Sequence, residues 1–229
     1  MVWKDDFRNI IVEFLTARLT DPRGRLSNTT DTFNGTGASQ TLTLTPSSGK
    51  KAMAIVSVTS NAVTKSKWQD YTIDIQNQTV TGTFDSGTGN VVVTYKEGTT
   101  TWIYPGDPRC DLTSTSYPRI SIDMADEEGV RLGSEINAED IIYTAIVSAE
   151  TWVKENYVYD AGTITYEGVE LASYLVNQIK NTFRTYMDDI YPELWGYKPI
   201  TTKKIGFVES HQTNNVTHDF EISGFNLGG

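Results

Sequence analysis

Between Glu167 and Pro192 the apolar residues are Leu171, Leu175, Val176, Ile179, Phe183, Tyr186, Met187 and Ile190. Steps of three, four or one put them on one side of a 3.6-residue helix, so the spacing predicts a long amphipathic helix here. Glu170 suits the positive end of that helix, and Pro192 ends the pattern because a proline cannot continue it. A second helix is predicted over residues 4–19, with Phe7, Ile10, Ile11, Phe14, Leu15 and Leu19 as its stripe and Asp21-Pro22 as its stop. Its apolar face suits packing on the same core as the later helix, or docking on a neighbouring subunit.

From Arg25 the pattern changes. LSNTTDTFNGTGASQ reads as a polar linker rich in Gly, Asn and Thr. Short β-like runs follow at Gln40–Thr45, Ala52–Val58, Tyr71–Ile75, Gln78–Phe84 and Asn90–Tyr95, separated by turn residues. Five strands at this spacing predict a small β-sandwich or barrel. Residues 26–100 are therefore read as an all-β module inserted into a host made of residues 1–25 and 101–229.

Beyond the module, TWIYPGDPRCDLTSTSYPR reads as a proline-punctuated loop and Arg119–Met124 as an alternating strand. ADEEGVRLGSE reads as an acidic loop and Ala138–Glu155 as a long strand. After a polar break come the main helix, the segment YPELWGYKP, and a hairpin over Lys203–Phe225 turning at Gln212–Asn215. The order β-β-α-β-β predicts an α+β fold: an antiparallel sheet flanked by two amphipathic helices.

Charge sharpens the division. The net charge of −10 is distributed as +1 over residues 1–25, 0 over 26–100 and −11 over 101–229. An acidic body disfavours adhesion to phosphate backbones and anionic lipid, while DNA can pass it without sticking. Cys110 is the only cysteine, which excludes an internal disulfide and a cysteine-based zinc site. No signal peptide pattern opens the chain, and no apolar run reaches the roughly 18 residues of a membrane helix. The chain is expected to be made in a cytoplasm, with no membrane partner.

Candidate chemistry is sparse. Ser47-Ser48-Gly49-Lys50-Lys51 has the tail of a phosphate-binding loop, but Leu44 stands where that loop needs glycine, so a plain turn accounts for it. His211 and His218 bracket the final turn and could share a metal with Asp219 or Glu209; exposed hairpin histidines are the plainer reading. Asp123, Asp126, Glu127 and Glu128 could hold calcium, form a solvated loop, or line a negatively charged channel. No serine or cysteine stands in a nucleophile setting, so no enzyme, cofactor or metal is expected. Trp68, Tyr71 and Trp102 could stack on sugars, which keeps open a β-rich adhesion or carbohydrate-binding protein.

The order of parts resembles the tail-terminator or tail-completion proteins at the neck of tailed viruses. Tyr117-Pro118-Arg119-Ile120-Ser121-Ile122 looks like that family's first core strand, Gly168–Met187 like its helix, and Val208–Phe225 like its final hairpin. Asp70–Asp74 followed by Val91–Tyr95 is similar to immunoglobulin-like modules that decorate virus particles. The resemblance implies a structural virion protein at the head–tail connection, made in the host cytoplasm. It implies a ring, commonly a hexamer, that caps the tail tube, contacts tail tube and neck or connector proteins, and lets genomic DNA pass at ejection without specific binding. Asp126, Glu127 and Glu128 are then expected to line the channel, and Tyr117, Arg119, Phe207 and Phe220 to meet neighbouring subunits.

Overall fold

Alternation with a period of two dominates the chain, and strands dominate the structure. The computed structural model describes residues 4–67, 69–106, 117–131, 138–152, 156–159, 164–189, 194–208 and 213–227. In chain order the elements are α1 (Lys4–Arg18), β1 (Leu26–Gly35), β2 (Ser39–Thr43), β3 (Lys51–Ser60), β4 (Val63–Thr64), β5 (Tyr71–Asp74), β6 (Thr79–Thr83) and β7 (Gly87–Gly98). They continue as β8 (Ile103–Pro105), β9 (Arg119–Arg131), β10 (Ala138–Trp152), β11 (Asn156–Tyr159), β12 (Ile164–Glu167), α2 (Gly168–Tyr186), β13 (Leu194–Val208) and β14 (Thr213–Leu227). The fold is mostly β, with two α-helices among the described residues. The chain divides into two compact units: Gly24–Thr101 with Thr16–Thr20, and Met1–Leu15 with Asp21–Arg23 and Trp102–Gly229.

The β unit, Gly24–Thr101 with Thr16–Thr20, has two antiparallel sheets, ordered β1-β7-β3-β4 and β2-β6-β5. Leu42, Val80 and Tyr71 from one sheet and Ile55, Val58 and Val93 from the other belong to one buried apolar cluster, so the sheets form a two-layer sandwich. The segment read as a linker is strand β1, paired in register with β7 from Leu26↔Gly98 to Phe33↔Val91. It escapes a hydrophobicity reading because it is an edge strand whose Asn28, Thr30, Thr32 and Asn34 face water. Gly35 is obligatory at its end, since a Cβ there would lie 1.8 Å from the Asp85 carbonyl oxygen. The first strand lies beside the last. In an immunoglobulin sandwich the first strand lies beside the second, so the expected immunoglobulin-like connection is not met: the long central β7 takes the neighbour's place.

Two carboxylates pin this unit. Glu97 is buried and accepts from the Ser47 backbone N–H and hydroxyl, each at 2.8 Å, and from Lys50 Nζ at 2.9 Å. The backbone N–H of Ser47 leads in holding the Glu97 pKa down at about 2. Asp31 accepts from the Thr45 N–H at 2.6 Å and from the Tyr95 hydroxyl at 3.1 Å. Ser47 and Lys50 thus turn their donors on Glu97 of their own chain, as a turn clamp.

The other unit is built on the sheet β13-β14-β10-β9-β8. All pairs are antiparallel except β8 with β9, which run parallel. Tyr143, Ala145, Val147 and Ala149 alternate as buried residues along β10, and their partners on β14 are Ile222, Phe220, His218 and Val216. This apolar face receives α2 through Leu171, Leu175, Val176, Ile179 and Phe183, all buried. It also receives α1: Phe7 stacks on Tyr143 at 4.5 Å and Phe14 lies 5.4 Å from Phe183. Both helices therefore share one face of the sheet, in two layers. Gly168 makes the turn from β12 into α2 at φ +49°, and a Cβ there would meet Asn214 Nδ2 at 3.0 Å. Thr151 Oγ1 donates to the Gly168 carbonyl at 2.6 Å, tying the helix start to β10.

Several sequence expectations change. The apolar stripe of α2 closes at Phe183, because Tyr186 is 42% exposed; a 3-10 turn at Met187–Asp189 follows, and Ile190 and Pro192 lie outside the described residues. The polar break holds the hairpin β11–β12, whose Tyr166 stacks on Tyr174 of α2 at 4.4 Å. The Trp/Tyr/Pro segment supplies the start of β13 from Leu194. Asn214 and Asn215 stand in β14, opposite Phe207 and Gly206, not in the turn.

Candidate functional site

His218 is a buried titratable side chain of the sheet-and-helix unit. It sits on β14 among Phe183, Tyr197 and Phe220, with its ring 5.7 Å from Phe220 and 6.0 Å from Tyr197. Nδ1 lies 2.9 Å from the Thr201 carbonyl, which can only accept, so Nδ1 carries the proton. Nε2 then accepts from the Tyr197 hydroxyl at 2.5 Å. Burial holds the His218 pKa below its usual value and raises that of Tyr197 to about 12. The exposed hairpin histidine of the sequence reading is thus a neutral ring, 1% exposed, with both nitrogens engaged. That suits a polar pin in an aromatic core rather than an acid–base catalyst, which needs a free nitrogen within reach of substrate. His211, the other half of the metal idea, lies outside the described residues. Among the described residues no three His, Cys, Asp or Glu side chains converge on a metal position.

The residues expected at subunit contacts separate. Phe220 is fully buried against Phe183 at 4.9 Å, in the unit's own core. Tyr117 and Arg119 are both 6% exposed. Arg119 Nε and Nη2 each reach Glu150 Oε2 at 2.7 Å, and its guanidinium lies 5.2 Å from the Tyr117 ring centroid. Asn215 Nδ2 completes the group by donating to Glu150 Oε1 at 3.4 Å. Burial inside the unit, which the sequence does not reveal for an isolated Arg, sets both side chains among partners of their own chain. The side chain of Phe207 lies outside the described residues.

The channel residues fall in a different setting from the expected loop. Asp126, Glu127 and Glu128 continue β9, paired with Thr144, Tyr143 and Ile142 of β10. Cross-strand pairing absorbs the acidic run, with a bulge at Thr144/Ala145 where Ala125 is extra. Their side chains lie outside the described residues. β8 pairs with β9 only over Ile120–Ile122, so among the described residues the outer side of β9 from Asp123 to Arg131 has no strand beside it.

At the opposite edge runs β13, whose pairing with β14 breaks at Trp195/Lys198, Pro199/Thr201 and Lys204/Gly206. Ile200 and Ile205 are the skipped residues of the last two breaks, and they are 49% and 56% exposed. Lys198 pairs with Glu221 at 2.8 Å and Lys203 with Asp219 at 3.7 Å, yet both lysines stay largely in water.

The sugar-stacking aromatics do not form a platform. Trp102 is fully buried and Tyr71 is 6% exposed, each in its own unit's core, and Trp68 lies outside the described residues. Among the described residues no helix is long and apolar enough to cross a membrane. The strongest candidate surface is therefore the β13 edge, where large apolar side chains are offered to water beside lysines. The chain matches no family model, and no curated protein matches it.

Proposed function

We propose that this chain is a structural virion protein: the subunit of a ring, hexameric by the resemblance, that caps the tail tube at the neck of a tailed virus and lets the genome pass. The observation that carries the reading is the order of elements in the sheet-and-helix unit. An amphipathic helix, the strand from Arg119, the long β10, the amphipathic α2 and the closing β13–β14 hairpin follow in the sequence on which the resemblance rests. The charge of residues 101–229 supports it, since an acidic wall repels a passing phosphate backbone. The partners are copies of itself, the tail tube protein and the neck or connector proteins; DNA passes without being bound. The β unit is a separate accessory body of the subunit. No catalysis, cofactor or metal is part of this function.

Mass photometry and negative-stain imaging of the purified chain test the proposal. A closed ring of fixed copy number with an open centre is the expected outcome. A chain that stays monomeric at all concentrations and binds a glycan array would replace it with the adhesion reading.

A further inference from the structure

Asn34-Gly35 is the one Asn-Gly pair in the chain. On an open backbone such a pair is chemically labile. The glycine nitrogen attacks the asparagine Cγ, and the missing Cβ leaves that approach unhindered. The bond from Cγ to the side-chain nitrogen breaks, ammonia leaves with the proton of the glycine N–H, and a succinimide ring closes. Water then opens the ring at one carbonyl to give aspartate, or at the other to give isoaspartate. Isoaspartate routes the backbone through the side chain and lengthens it by one methylene.

The structure holds both reacting groups. Asn34 is the residue skipped by the β1–β7 register at the end of β1. The Gly35 N–H donates to Asn90 Oδ1 at 2.8 Å, and Asn34 Oδ1 accepts from the Gly89 N–H at 2.7 Å. Gln40 clamps the chain on either side: its Nε2 donates to the Asn34 carbonyl at 3.0 Å and its Oε1 accepts from the Thr36 N–H at 2.8 Å. Asn90 is itself fixed, because its Nδ2 donates to the Asp85 carbonyl at 2.7 Å and to Asn61 Oδ1 at 3.1 Å. Gly35 is buried with no slack, since even a Cβ would lie 1.8 Å from the Asp85 carbonyl oxygen.

We propose that Asn34 is a modification site which the fold of the β unit keeps latent. It stays an amide while the end of β1 is paired, because the nucleophile and the group it attacks are both engaged elsewhere. It converts when that end opens, so its rate follows the population of the open form. Conversion to isoaspartate then bars the way back. The added methylene falls where the backbone passes hard against Asp85, and it carries the Gly35 N–H away from Asn90. Conversion to aspartate does not, because a carboxylate keeps the chain length and still accepts from the Gly89 N–H. The site thus makes unfolding of the β unit irreversible for the molecules that take the isoaspartate branch.

The test ages the full chain in warm, mildly alkaline buffer with and without denaturing urea. Peptide mass spectrometry reads deamidation at Asn34, and electron-transfer fragmentation separates isoaspartate from aspartate. Conversion is expected to be at least about tenfold slower in the folded chain than in urea. After urea is diluted out, chains bearing isoaspartate are expected to lack the native melting transition of the β unit, and chains bearing aspartate to regain it. Asn34→Gln, which would need a larger and slower-closing ring, is expected to recover in full after the same ageing. Asn90→Ala, and as a milder surface change Gln40→Ala, are each expected to speed conversion in native buffer. Equal rates with and without urea overturn the latency. Isoaspartate chains that melt like fresh protein overturn the barrier. Both variants converting at the wild-type rate while folded by circular dichroism overturn the clamp.

Discussion

Phe183 is the side chain on which the packing of the sheet-and-helix unit can be measured. It is fully buried on α2 and meets Phe14 at 5.4 Å, Tyr197 at 5.0 Å and Phe220 at 4.9 Å, so it joins α1, β13 and β14. Truncating a buried phenylalanine to alanine costs about 3–5 kcal/mol through lost transfer energy and the cavity left behind. Aromatic pairs add about 0.5–1.5 kcal/mol each beyond area, and this ring has three, which places Phe183→Ala at the upper end. At roughly 2–4 °C per kcal/mol for a protein of this size, the melting point should fall by roughly 10–20 °C. Phe183→Leu retains most of the volume and should fall by less than half as much. Scanning calorimetry of the intact chain reads the shift. Val93→Ala, buried in the β unit, serves as the control whose effect belongs to the other core. A Phe183→Ala chain that melts within about 2 °C of wild type would refute the aromatic junction, because a cavity of that size cannot be free of cost.

Two acid titrations follow. The His218 pKa is lowered in the folded state, so unfolding takes up a proton once the pH drops below the ordinary value near 6.5; stability is full above that value and falls below it. The melting point should therefore drop between about pH 7.5 and pH 5.5, and His218→Gln, lower at neutral pH, should show a flatter profile over that range. Glu97 has its pKa held down at about 2, so its contribution is present above the ordinary 4.5 and disappears as the pH falls through about 2. Glu97→Gln should lower the melting point at neutral pH and converge with wild type in strong acid, read by circular dichroism; parallel curves would remove Glu97 as the pin of the β unit.

Much of the fold is legible because burial and hydrophobicity coincide. The stripe from Leu171 to Phe183 locates α2, and the alternation of Arg119–Met124 locates the start of β9. What is not legible is made by pairing. β1 reads as linker because backbone hydrogen bonds to β7, and not apolar side chains, hold most of its length. Asp126–Glu128 read as loop because nothing in three consecutive carboxylates reports that β10 lies alongside. His218 and Arg119 read as surface residues because the partners that let them be buried, Tyr197, the Thr201 carbonyl and Glu150, are distant in sequence. The candidate edge was hidden for a related reason: Ile200 and Ile205 look like core residues until the bulges remove them from the ladder.

The pairing of β1 with β7 also fixes how the β unit answers to force. Leu26 and Gly98 are cross-strand partners, so the chain enters and leaves through one antiparallel pair whose Cα atoms are about 4.5–5.5 Å apart. Tension between those two ends loads the terminal pair first and parts the ladder one link at a time, as a zipper, where strands pulled lengthwise would share the load among all their links. The unit therefore yields early under traction. Its full extension releases roughly 240–260 Å of chain between Leu26 and Gly98.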